Sequence, residues 1–220
     1  MRSAIRHPHA PRTRPESSIL LRTALCALLF LLAHNPPADA QEGEADSLPT
    51  PVATHRVTLA TTHGPILLDL YGKDAPRAVK NFLTLCESGY YDGILIHRVQ
   101  PDLLIQTGCP KTKDTALRSE WGSGGASCYG APFASELNAR TPSYRRGYRR
   151  GVVAMANAGP GTNTSQFFIL LTDASSWMEQ AYTIFGRVPD LTTVDAIAAL
   201  PLDDDGAPRE PVEILGTTVE

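Results

Sequence analysis

The chain has 220 residues, 42% of them apolar and 20% charged, with a formal charge of −3 at pH 7. That gives room for one sizeable domain or two small ones, with the composition of an ordinary globular protein. The slightly acidic balance argues against nucleic acid as the main partner, and four cysteines with no CxxC or nearby His cluster argue against a disulfide framework or a zinc site.

Residues 1–40 read as a leader and not as part of the folded domain. Arg2, Arg6, Arg12, Arg14 and Arg22 precede the apolar run 23–33 (TALCALLFLLA), and Ala38-Asp39-Ala40 offers an A-x-A cleavage site. This is the layout of a secretory signal peptide, which would deliver the mature chain to the ER lumen, the periplasm or the exterior. An uncleaved membrane anchor and an arginine-rich mitochondrial presequence are the alternatives. The run is short against a span of about 20 residues, so no stable membrane span is expected in the mature chain. Cleavage after Ala40 removes five of the 20 basic and two of the 23 acidic residues, leaving 15 and 21, a net −6. Residues 41–54 are polar or proline-containing and aperiodic, so they are expected to form a flexible linker ahead of a domain at 55–220.

The domain opens with two strands, 55–61 and 65–71, joined at Thr62-His63-Gly64 as a hairpin. A helix follows: Asp74 is its expected N-cap, Pro76 lies in the first turn, and Gly89 supplies the αL C-cap. Ala78, Val79, Phe82, Leu83 and Cys86 recur at helical spacing between them. Tyr90-Tyr91-Asp92-Gly93 turns the chain into the stretch 94–108, ILIHRVQPDLLIQTG, two strands meeting at Gln100-Pro101-Asp102. Strict alternation puts Ile94, Ile96 and Arg98 on one face, with Leu95, His97 and Val99 on the other; Leu104 and Gln106 likewise oppose Leu103 and Ile105. A guanidinium where apolar packing is expected costs several kcal/mol unless it is paired or working. Two readings are open: a strand-end arginine in solvent, or Arg98 held over an apolar pocket with Gln106 beside it.

Residues 109–121 are charged and read as an exposed loop; Gly122-Ser123-Gly124-Gly125 supplies backbone freedom beside a groove, since no Walker lysine follows. The basic, aromatic stretch 144–150 (YRRGYRR) reads as a solvated turn, with RNA or anionic lipid as the alternative. Strands are expected at 151–158, 165–171, 183–188 and 212–219, and a helix at 191–200 capped by Asp190. About eight strands and two helices, without a βαβ rhythm, predict a mainly β fold, a closed antiparallel barrel. Cys86, Cys109 and Cys128 are either free buried thiols or include one Cys109–Cys128 bridge.

Several segments together make a specific match. Ile96-His97-Arg98-Val99, Leu104-Ile105-Gln106-Thr107-Gly108, Met155-Ala156-Asn157-Ala158-Gly159-Pro160 and Thr162-Asn163-Thr164-Ser165-Gln166-Phe167-Phe168-Ile169 resemble the cyclophilin family of peptidyl-prolyl cis-trans isomerases. Ala75-Pro76 with Asn81-Phe82, the run Gly124 to Gly130 and Phe185-Gly186-Arg187-Val188 are similar to the family as well, so the likeness runs in order over 57–219. It implies a closed eight-stranded antiparallel barrel capped by two helices, and an enzyme with no cofactor or metal. Its partners would be proline-containing polypeptides, and the protein a monomer.

The resemblance also assigns roles. Arg98 matches the catalytic arginine; Gln106, Ala156, Asn157 and Gln166 match residues that hold the substrate backbone. Phe168, Leu103, Leu104 and Met178 match the proline pocket, Tyr182 its edge, and Trp177 the tryptophan that contacts cyclosporin. His97 accompanies the arginine, either structurally or directly. The chain departs from the pattern at Leu103 and Leu104 (commonly Phe and Met), at Cys109 (usually Asp), at Thr164 (usually Gly) and in a longer 109–121 loop. Thr164 creates the sequon Asn163-Thr164-Ser165, expected to stay unoccupied because a glycan there would sit at the groove. The rivals to a working isomerase are a low-turnover proline-peptide binding or chaperone module on the same fold, and a Cys/His hydrolase using Cys128 and His97. For the second, no helix N-terminus or orienting third group is evident near Cys128.

Overall fold

A computed structural model describes residues 48–220. The expected leader and the first half of the linker, 41–47, lie outside the described residues. Strands β1 (His55–Thr61) and β2 (Gly64–Leu70) turn tightly through Thr62-His63. The turn is stabilised by Thr61, whose hydroxyl donates to Gly64 O at 2.6 Å and accepts from His63 N at 3.1 Å. Val57 and Leu59 alternate inward from β1, as Ile66, Leu68 and Leu70 do from β2. Asp69 is buried beside them because Arg56 bonds it at 2.9 Å and Arg187 stands 3.6 Å away.

Helix α1 (Pro76–Glu87) buries Ala78, Val79, Phe82, Leu85 and Cys86; Leu83, expected inside, is only partly covered. Its N-cap is Ala75 and not Asp74. The orphan N–H groups of Arg77 and Ala78 are taken instead by the carboxylate of Glu136, at 3.0 and 2.9 Å. Asp74 in turn accepts from Ser143 N at 2.8 Å, in the first turn of the short helix α2 (Pro142–Arg146). Each helix is thus capped by the acid that precedes the other. At the far end Gly89 takes φ +67° and closes α1 as expected.

The central stretch gives β3 (Arg98–Gln100) and β4 (Leu104–Thr107). Strict alternation fails here. Ile94, Ile96 and Val99 all enter the main core, so the pleat breaks at His97 and Arg98 turns outward. Strands β5 (Val152–Met155), β6 (Phe167–Leu170), β7 (Ile184–Arg187) and β8 (Ile214–Val219) complete one antiparallel sheet of order β3-β4-β6-β5-β7-β2-β1-β8.

The expected closed barrel is not what forms. β3 and β8 remain the edges of a curled sheet, and no ladder joins them. The chain just before each edge strand crosses the gap: Leu95 bridges Glu213, and Ile96 N donates to Val212 O at 2.9 Å. The physical reason is the broken pleat at His97, which makes β3 three residues long and leaves 94–97 out of strand geometry.

Strands β4, β5, β6 and β7 carry buried apolar residues on both faces. Val153, Met155, Phe167, Ile169, Ile105 and Phe185 point into the main core, where Phe82 of α1 meets Phe167 and Phe185, each at 5.3 Å between ring centroids. Helix α3 (Thr192–Ala198) adds Val194 and Ile197 to that core. Alternate residues on the same strands, Val152, Ala154, Phe168, Leu170, Leu104 and Ile184, form a second apolar cluster on the outer face.

Segment 109–121 is folded into two 3-10 turns, Pro110–Lys113 and Thr115–Glu120, where a plain loop is expected. Thr112 ties the first down by accepting from Leu95 N at 3.0 Å and donating to Cys109 O at 2.8 Å. Nor is 144–150 a solvated basic turn: Tyr148 is buried, Arg149 pairs with Asp173, and Arg150 grips Asp195 at 2.6 and 2.7 Å. Cys86, Cys109 and Cys128 are free thiols.

Glu136→Ala removes two charge-assisted caps from α1. We expect a loss of about 1–2 kcal/mol of stability in urea denaturation, with little change in secondary structure.

Candidate active site

The outer face of the sheet carries a single cross-strand row. Arg98 pairs with Gln106, Gln106 with Phe168, and Phe168 with Ala154. Neighbouring strands lie about 4.8 Å apart, which puts the backbones of Arg98 and Phe168 about 10 Å from each other. Phe168 and Leu104 are buried in the outer apolar cluster, and Leu103, Ala156, Met178 and Tyr182 pack partly buried against it. The Tyr182 ring meets Phe168 edge-on at 5.4 Å. Tyr148 fixes the Tyr182 backbone, its hydroxyl donating to Tyr182 O and accepting from Tyr182 N, both at 2.9 Å.

The polar half of the site is a chain of amides. Arg98 Nη1 donates to Gln106 Oε1 at 3.1 Å, and Gln106 Nε2 donates to Gln166 Oε1 at 3.0 Å. Gln166 Nε2 then donates to Gly122 O at 2.8 Å and Gly124 O at 2.5 Å. Arg98 is exposed, and among the described residues Gln106 is its one hydrogen-bond partner. Asn157 is locked by donating to Ala181 O and accepting from Gly159 N, each at 3.1 Å.

Two hollows flank this chain. One, of about 320 Å³, is lined by Gln106, Ala156, Asn157 and Gln166 with Gly122 to Gly125, Thr162 and Thr164. The other, of about 470 Å³, is lined by His97, Arg98, Gln106, Arg118, Trp121 and Asp205, together with Ser119, Gly122 and Ser123. The glycine run is therefore groove wall, as its composition predicts. His97 does not face away from Arg98: both border the larger hollow, because the pleat breaks between them.

Of the residues to which the resemblance assigns roles, the structure brings together all but Trp177. Trp177 is 61% exposed and stands outside the apolar cluster, although its neighbour Met178 belongs to it. Alternation on β5 could have exposed Val152 and Ala154 as outer-face residues, while Tyr148 was masked by the basic run around it. The Gly122 and Gly124 carbonyls carry no side-chain signal. Thr164 fits because its hydroxyl occupies the space a Cβ at Gly125 would need, 2.1 Å away. Asn163 is fully buried and donates to Ser135 Oγ at 3.2 Å. Among the described residues no three His, Cys, Asp or Glu side chains are grouped to hold a metal ion, and no helix is long and apolar enough to cross a membrane.

Eight antiparallel strands with an arginine, two glutamines and an apolar floor on the outer face define a cyclophilin fold. The family model for "Cyclophilin type peptidyl-prolyl cis-trans isomerase/CLD" matches residues 56–219. Peptidyl-prolyl cis-trans isomerase-like 3 of Gibberella zeae is 42% identical over 166 residues, 74% of this chain and 95% of that one. The Danio rerio Spliceosome-associated protein CWC27 homolog is 40% identical over 171 residues, 77% of this chain but 34% of that longer protein. Among solved structures, a Cryptosporidium parvum cyclophilin type peptidyl-prolyl cis-trans isomerase superposes with a TM-score of 0.66 at 31% identity, covering 76% of this chain and 97% of that one. The chain belongs to the cyclophilin-type peptidyl-prolyl cis-trans isomerase family, and it is an enzyme of that class.

His97 is buried with neither ring nitrogen hydrogen-bonded. Burial, and then the nearby Arg98 and Arg118 charges, lower its pKa from 6.5 to about 4. The unfolded chain therefore binds the extra proton across that window, and folding stability falls as pH drops from about 6.5 towards 4. A His97→Asn variant is expected to lose this acid sensitivity, a difference of up to about 3 kcal/mol between pH 7 and pH 4 in denaturant titrations.

Proposed function

We propose that Arg98 is the catalytic residue of a proline isomerase whose groove is the outer-face row. Rotation about an X–Pro bond faces about 18–20 kcal/mol because resonance stiffens the C–N bond. No bond is broken, so no nucleophile is required; the site need only bind the twisted amide better than either planar isomer. Twisting returns the lone pair to the prolyl nitrogen, and a permanently charged guanidinium donates to it there. Phe168, Leu103, Leu104 and Met178, with Tyr182 at the edge, hold the ring. Gln106, Ala156, Asn157 and Gln166 hold the flanking peptide so that one side turns against a fixed other side. The observation that carries this reading is the oriented guanidinium, 3.1 Å from Gln106 and two strands from Phe168 of the apolar floor.

The substrates are proline-containing polypeptides, and the catalytic unit is residues 55–220 acting as a monomer. Cyclosporin contact through Trp177 belongs to the same proposal, supported by the exposed indole beside Met178. The arginine-rich, apolar start with its A-x-A site supports removal of residues 1–40 and a folding role outside the cytoplasm. The spliceosome association in the name of the Danio rerio relative favours a second reading, a nuclear isomerase that keeps its N-terminus.

In a protease-coupled assay, Arg98→Ala is expected to cut kcat/KM by about 100-fold or more with an unchanged fold, and Phe168→Ala to raise KM. Full turnover by Arg98→Ala would remove Arg98 from the catalytic role, and negligible turnover by the unaltered protein that still binds a proline peptide would favour the low-turnover binding module. Intact-mass analysis of the protein from its own cells separates the two locations: a chain starting at Gln41 supports export, and an intact N-terminus the nuclear reading. Given the complete burial of Asn163, the same spectrum is expected to carry no glycan mass.

A further inference from the structure

We infer that Arg118 and Asp203, which the proposed mechanism does not use, are positioning residues for Arg98. The inference rests on the reading of Arg98 as catalytic.

The amide chain has a polarity that something must set. A glutamine amide presents an oxygen at one corner and an NH2 at the other, and nothing intrinsic decides which faces a neighbour. Arg98 offers only N–H donors, so it is held only if Gln106 turns its oxygen towards it. Gln106 then points its NH2 at Gln166, which must answer with its own oxygen. That leaves the Gln166 NH2 needing acceptors, and it finds the Gly122 and Gly124 carbonyls. The orientation of the guanidinium is thus dictated from the loop end, by two backbone oxygens that cannot flip.

Those oxygens are only as fixed as the loop that carries them. The loop is anchored one residue upstream, where the Arg118 guanidinium stacks on Trp121 at 4.1 Å from the ring centroid. Arg118 bonds the Asp203 carboxylate and lies 3.6 Å from Asp205. Asp203 also organises its own turn, accepting from Asp205 N at 3.1 Å and Ala207 N at 3.0 Å. Gly206 of that turn accepts from Val99 N at 2.7 Å, on the residue after Arg98. The contacts close a ring: Arg98, Gln106, Gln166, Gly122, Trp121, Arg118, the Asp203–Gly206 turn, and Val99. Arg98, Gln106, Gly122, Trp121, Arg118 and Asp205 of this ring line the larger hollow. One turn therefore holds the backbone beside Arg98 and, through Arg118, the carbonyls that orient its side chain.

Arg118→Ala and Asp203→Asn test this; the second keeps an acceptor for the turn and removes only the charge. The readouts are kcat and KM for a proline peptide, and the side-chain NH2 signals of Gln106 and Gln166 in 15N-correlated NMR spectra of the free protein. We expect both variants to fold, to lose kcat about five-fold with KM within two-fold, and to shift both amide signals. The double variant should be no worse than either single one, because both break the same link. Unmoved amide signals overturn the inference whatever happens to activity. A raised KM at constant kcat also overturns it, since the loop would then be touching substrate directly. Shifted signals with undiminished kcat overturn it too. In that case Arg98→Ala in the same assay shows whether Arg98 itself is dispensable, which would defeat the functional reading, or only its placement.

Discussion

The register that aligns Arg98, Gln106 and Phe168 across three strands is the constraint on which the rest depends. It places a permanent charge and an aromatic floor on one face at a fixed separation, without any loop having to close. A slip of one residue between β3 and β4 would turn Gln106 into the main core and bring Ile105 out. The inner face resists that slip, because Val99, Ile105 and Ile169 are locked into the core behind the same row. The geometry of the groove and the packing of the core are therefore two faces of one pairing.

The site shows a division of labour between charge and shape. The apolar cluster needs only volume and dryness, so Leu103 and Leu104 fill it where the resemblance leads one to expect Phe and Met. The polar side needs direction, and direction comes from a chain of hydrogen bonds ending on backbone oxygens. Buried polar chains of this kind are worth having only when every member is satisfied. Gln166, 7% exposed, meets that condition with both corners of its amide engaged.

Much of this was legible in the sequence. Period-two patterning gave β1 and β2 nearly to the residue, the later strands were placed but drawn too long, β5 by four residues, and the order of motifs gave the family. What the sequence could not show were contacts between residues distant along the chain. Asp74 looks like the cap of α1 because it lies next to it, yet the free N–H groups of the first turn are taken by Glu136, 59 residues on from Arg77. The alternation rule misplaced Arg98 relative to Ile96, since a break in the pleat at His97 leaves no local signature. The loop carbonyls escaped notice because backbone atoms are the same at every position. Trp177, assigned by likeness alone, is the one assigned residue the geometry leaves to one side.

Thr164 and Gly125 interlock, with a threonine hydroxyl filling the room that a β-carbon would take. Neither position is free to drift alone. An alanine at 125 collides unless 164 shrinks first, whereas a glycine at 164 opens space that either residue could later claim. The order of two mutations, and not just their identity, therefore decides whether the wall of this groove survives them.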